Sequence, residues 1–206
     1  MNSWHARSTD DEALAGPDAA RADVYAVIGR FFYRAPDESL LAALKQGNDG
    51  EVRGNGALGT AWRVLRQACV TADPAAVARE FDSLFAGVGK SEITPFSSHY
   101  VKAAAPDRHL IQLRRLLASW NLQGRSATGE TEDHVAGICD VMRHLVSDNR
   151  PLDEQLLFFN EFLHPGLAPF CEAILQSENA SFYRCVAQFT LAFLVVERAA
   201  FEMEDG

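Results

Sequence analysis

The chain has 206 residues, 48% of them hydrophobic and 10% aromatic, enough for a well-buried core and a length that suits one domain better than two. Its formal net charge of −9 excludes a general nucleic-acid or anionic-membrane surface, because both require a basic footprint, and favours basic partners. Cys69, Cys139, Cys171 and Cys185 stand far apart with no C-x-x-C pair, which excludes a zinc knuckle or dithiol redox motif and fits free thiols in a reducing cytoplasm.

The opening residues, MNSWHARSTDDEALAGPDAA, lack the basic start and apolar middle of a secretion signal and are too acidic for a transit peptide. The chain is therefore expected to begin where synthesis begins and to work in the cytoplasm. Composition predicts a flexible N-terminus over 1–16 and a single all-helical domain over 17–206.

From there the period is helical. Val24, Val27, Ile28, Phe31 and Phe32 form one apolar stripe, Leu58, Trp62, Leu65 and Cys69 a second, and Val77, Phe81, Leu84 and Phe85 a third. Leu110, Leu113, Leu116, Leu117 and Trp120 continue the pattern, followed by Val135, Ile138, Met142, Leu145 and Val146. Breaks are expected at Pro36-Asp37, Gly47 to Gly56, Asp73-Pro74, Gly87 to Pro106, Gly124 to Gly129, Asn149 to Pro151 and His164 to Gly166. The run FYRCVAQFTLAFLVV, Phe182 to Val196, is shorter than a membrane span and contains Arg184 and Gln188, so it reads as a buried core helix and no stable membrane insertion is expected. No alternating strand pattern appears, and the fold class is all-α.

Two stretches carry candidate chemistry. The first, FAGVGKSEITPFSSHY, Phe85 to Tyr100, contains Gly89-Lys90-Ser91, the end of a phosphate-binding loop. Leu84 stands where the first glycine is needed, a helix rather than a strand precedes, and Pro95 follows, so a true phosphate-binding loop is not expected. A helix connection of this length is uncommon and often functional. The second stretch is Glu130-Thr131-Glu132-Asp133-His134, where Thr131 can cap the next helix and Glu132 and Asp133 in its first turn suit the helix dipole. His134 reads as a general acid/base, a ligand-binding donor or a capping neighbour. There is no H-E-x-x-H, nucleophile elbow or dinucleotide fingerprint, so neither a metal site nor a catalytic residue is assigned.

Taken together, Glu92-Ile-Thr-Pro95-Phe96 with Tyr100, Glu130 to His134 ahead of Met142, and Glu161-Phe-Leu-His-Pro-Gly-Leu-Ala-Pro-Phe170 resemble the TorD/DmsD/NarJ group of cytoplasmic chaperones for molybdenum-containing redox enzymes. These stretches are similar to that family's E-x-x-P, E-P-x-D-H and F-L-x-x-H-L-x-P-W segments. This chain departs from them at Thr131, where proline is usual, at Phe96 and Phe170, where tyrosine and tryptophan are usual, and at Gly166, where histidine is usual. The two phenylalanines keep the apolar body without a polar tip, which suits packing.

The resemblance implies a compact helical bundle that is no enzyme and has no cofactor of its own. Such a chaperone binds the twin-arginine leader, or another part, of the precursor of a DMSO-reductase-type molybdoenzyme, aids cofactor insertion and delays export. By the same resemblance Leu84, Phe85, Pro95, Phe96, Tyr100, Asp133 and His134 are the leader-binding candidates. Asp133 would offer its carboxylate to an arginine, with His134 donating or accepting beside it. For Leu84 and Phe85 ordinary core packing is the alternative, and for Asp133 helix capping. Two other functions stay open. One is a guanine-nucleotide-binding regulator, with weak GTP binding at Gly89 and Lys90. The other is a helical adaptor without leader recognition. A monomer and a domain-swapped dimer are both compatible with long helix connections.

Overall fold

The computed structural model describes residues 16–46, 56–86, 91–101, 106–122 and 132–204, and within them the apolar stripes become helices with their faces turned to one core. In chain order these are α1 (Pro17–Tyr33), α2 (Glu38–Gln46), α3 (Ala57–Thr71), α4 (Pro74–Phe85), α5 (Pro106–Ser119), α6 (Val135–Ser147), α7 (Leu152–Phe158), α8 (His164–Gln176) and α9 (Phe182–Glu204). A 3-10 turn, Ser97–His99, lies between α4 and α5. Among the described residues there is no strand, only an isolated antiparallel bridge between Phe96 and His134. The all-α reading holds. Residues 1–15 and 47–55 lie outside the described residues.

Helix starts follow the local chemistry. Pro17 and Pro74 occupy first-turn positions, where a missing N–H costs nothing, and the Asp73 side chain accepts from the Ala75 N–H at 3.1 Å. α1 lies along α6, while α9 packs on α3 and α8. The core gathers Ile28, Phe31 and Phe32 from α1, Trp62, Leu65 and Cys69 from α3, every member of the α6 stripe, and Tyr183, Phe189 and Phe193 from α9. Val24, Val27, Leu58 and Phe81 are only partly covered, as expected at the edges of amphipathic stripes. The Phe182 to Val196 segment is a core helix, with Val195 and Val196 left on its outer face. Among the described residues no helix is long and apolar enough to cross a membrane.

One expected break is absent. From Leu152 to Gln176 the chain stays helical, because a π turn, Phe159–Leu163, joins α7 to α8 and the His164 N–H reaches back to the Phe159 carbonyl. Pro165 then falls in the first turn of α8, where it needs no backbone donor, so His164-Pro165-Gly166 does not end the helix.

α9 also carries a buried charge that no apolar stripe announces. Glu197, 2% exposed, receives the Arg21 guanidinium at 2.9 and 3.0 Å and the Tyr25 hydroxyl at 2.8 Å. The carboxylate's full set of partners from α1 makes its burial tolerable, and pins α1 to α9.

Candidate functional site

Three stretches far apart in sequence meet at one place. After α4 the chain folds back, with the Ile93 N–H donating to the Leu84 carbonyl at 2.8 Å. The Glu92 carboxylate then accepts from the Ser177 hydroxyl and from Asn179 Nδ2 at 2.8 Å, tying the segment to the end of α8. Those two hydrogen bonds hold Glu92 below the usual carboxylate range. The Tyr100 hydroxyl closes the turn by donating to the Thr94 carbonyl at 2.9 Å, and burial pushes its pKa up to about 12.

The second stretch runs antiparallel against the first. The Val135 N–H donates to the Pro95 carbonyl at 2.9 Å and the Ser97 N–H to the Asp133 carbonyl at 2.8 Å, which fixes Phe96 opposite His134. Their rings meet edge to face at 5.4 Å. His134 caps α6 itself, its Nδ1 accepting from the Ala136 N–H at 3.2 Å. Asp133, 2% exposed, accepts from the Ser98 hydroxyl.

The third stretch supplies the floor. At Gly166 of α8 a Cβ would lie 2.3 Å from Ser97 Cβ, so only glycine lets the 3-10 turn approach this closely. Four residues on, Phe170 packs at 5.6 Å from the Phe85 ring and 6.1 Å from the Tyr100 ring. α5 closes one side with His109, which is 3% exposed and lies 5.2 Å from the Phe162 ring. Burial lowers the His109 pKa, against the upward pull of the Asp133 and Glu161 carboxylates.

Phe96 and Tyr100 are partly exposed beside a buried carboxylate and two histidines, and among the described residues no group of histidine, cysteine, aspartate or glutamate is arranged to hold a metal ion. In comparisons with known proteins, the family described as nitrate reductase delta subunit matches residues 54–195, a span containing all three stretches.

The chain belongs to the nitrate reductase delta subunit family.

Members of the nitrate reductase delta subunit family are redox-enzyme maturation chaperones of the TorD/NarJ type, not catalysts, and work without a cofactor of their own. The fold agrees with that of a crystal structure assigned to a redox enzyme maturation protein from Archaeoglobus fulgidus. The TM-score is 0.52 at 18% identity, over 88% of this chain and 98% of the other. No curated protein matches the chain significantly.

In this delta-subunit-family chain the structure brings Pro95, Phe96, Asp133 and His134 into one crossing, and joins Phe85 to Tyr100 through Phe170. Leu84 and Phe85 lie in the core, Phe85 among Phe32, Phe81, Phe170 and Tyr183. The capping expectation is corrected. α6 begins at Val135, so Glu132 and Asp133 precede it, and the cap is His134; Glu132 pairs instead with Arg114 Nε at 2.9 Å. Thr131, Gly89 and Lys90 lie outside the described residues.

Ser97, Ser98 and His109 were not singled out by the sequence reading, and Gly166 was noted there only as a break and as a departure from the family's histidine. For His109 there was a signal, since it stands four residues before Leu113 and so shares the buried face of α5. For the serines there was none.

Proposed function

We propose that this chain binds the twin-arginine leader of a molybdoenzyme precursor in the cytoplasm, holding the precursor from export until its cofactor is inserted. The observation that carries the reading is the Phe96–His134 crossing, which sets the Asp133 carboxylate beside partly exposed aromatic surface. An arginine pair followed by an apolar stretch is complementary to that combination. The guanidinium meets a carboxylate of low solvent exposure, where charge-assisted hydrogen bonds are strongest, and the apolar residues meet Phe96 and Tyr100. A net charge of −9 adds long-range attraction for the basic leader.

Asp133 is the residue to test. Asp133→Asn keeps an acceptor for the Ser98 hydroxyl while removing the charge, so the fold should hold. Affinity for a leader peptide should then fall roughly tenfold, about one charge-assisted hydrogen bond, in a calorimetric titration. Unchanged affinity, or an early melt with loss of helicity, would show that Asp133 serves the α6 entrance alone.

A further inference from the structure

Within the crossing, two buried polar atoms have no hydrogen-bond partner: Ser97 Oγ and His109 Nε2. Both lie where the 3-10 turn meets its neighbours. The Ser97 N–H donates to the Asp133 carbonyl at 2.8 Å, and α5, which carries His109, packs against the 3-10 turn that contains Ser97. Ser97 is fully buried and His109 is 3% exposed. An unpaired buried polar atom is costly, and two in one place call for an explanation.

Neither atom is forced on the fold. Phe162 lies against the His109 ring, so an apolar ring of similar size would suit this wall better, and Ser97 needs only a small side chain against Gly166.

We propose that Ser97 Oγ and His109 Nε2 are the acceptors that make this site select a guanidinium over an ammonium. The proposal rests on the leader-binding reading above and names what distinguishes the residue bound. A planar guanidinium carries five N–H donors spread over a fork, so it can reach several separated acceptors at once, whereas a lysine ammonium concentrates its donors on one nitrogen. Neutral imidazole holds its single ring proton on either nitrogen, and an arriving donor selects the form with the proton on Nδ1 and Nε2 open. The negative charge beside the two acceptors supplies attraction for any cation; the acceptors supply the shape.

The test uses the full chain and two synthetic peptides, one with an Arg-Arg pair before an apolar stretch and one with Lys-Lys in its place. Wild type should bind the arginine peptide roughly tenfold more tightly. His109→Phe and Ser97→Ala should each bring that preference below about threefold, with melting midpoints unchanged or higher, since each removes an unsatisfied buried atom. His109→Gln, which keeps a neutral acceptor, should retain most of the preference. Should His109→Phe melt early, Ser97→Ala decides the matter, because losing one hydroxyl disturbs little.

A preference absent from wild type, or surviving in both variants, would overturn the proposal and leave leader binding standing. Failure of wild type to bind either peptide would overturn the leader reading and this inference together.

Discussion

The α1–α9 seam and the motif crossing each bury a carboxylate at 2% exposure, Glu197 in one and Asp133 in the other, yet they treat the polar groups around it differently. At the seam, Glu197 has three hydrogen bonds from Arg21 and Tyr25. At the crossing, Ser97 and His109 keep buried atoms without partners beside Asp133, and the aromatic edge is left partly open. A complete polar cluster contributes to the fold, whereas an incomplete one costs stability. On the proposed reading, the contrast separates scaffold from site within a single core.

The largest effect that would break the comparison is at the seam. Glu197→Ala leaves the buried Tyr25 hydroxyl without its acceptor and the partly buried Arg21 guanidinium with Asp18 alone as carboxylate partner among the described residues, and should cost about 3–5 kcal/mol in denaturant unfolding. Leader affinity per folded molecule should be unchanged. A loss below about 1 kcal/mol would make the ion pair no better than a surface one.

Next comes Gly166→Ala, whose added methyl must displace Ser97 and with it the 3-10 turn. Overpacking there should cost about 1–3 kcal/mol, and unlike the seam variant it should also weaken leader binding. Equal binding would uncouple the third motif from the site.

A smaller effect is set by pH. His109 and His164 are both held below the ordinary histidine value, chiefly by burial, and His164 also by Arg198. The folded state therefore disfavours their protons. This contribution to stability is present above the unfolded pKa of about 6.5 and declines as pH falls through that value toward the folded pKa. The decline should be shallower in His109→Gln. An identical pH profile would place the titrating group elsewhere.

The smallest effect concerns the thiols. Cys69, Cys139 and Cys171 are buried, whereas Cys185 is partly exposed, and burial pushes all four pKa values up. A thiol reagent should label Cys185 first, but slowly, and reach the other three only with unfolding. Rapid labelling of Cys139 or Cys171 in the folded protein would mean that the core opens more readily than its packing suggests.

How legible each region was follows from the range of its interactions. The helices could be read because a stripe such as Val135 to Val146 is a local signal with a fixed period. Glu197 could not: it ends an apolar run, and its partners stand 172 and 176 positions away. The site was legible through three short stretches whose resemblance to one family placed them together before any geometry did. Its details were not. Thr131 and His134 are both plausible caps by local sequence, and the backbone bonds joining Pro95 to Val135 and Ser97 to Asp133 accompany the choice of His134. Leu84 and Phe85 read equally as groove or core, because a helical stripe shows which residues share a face but not what that face meets; they lie in the core. The π turn was hidden by Pro165 and Gly166, whose usual meaning is a break.

The most direct test of the central claim is parallel affinity capture of wild type and Asp133→Asn from the native host, with mass spectrometry of the proteins retained. Wild type should retain a molybdoenzyme precursor with its twin-arginine leader uncleaved, and Asp133→Asn should retain markedly less of it at equal folded protein. Recovery of mature enzyme alone, of no redox enzyme, or of equal amounts of precursor on both would contradict the assignment of the crossing as the leader site.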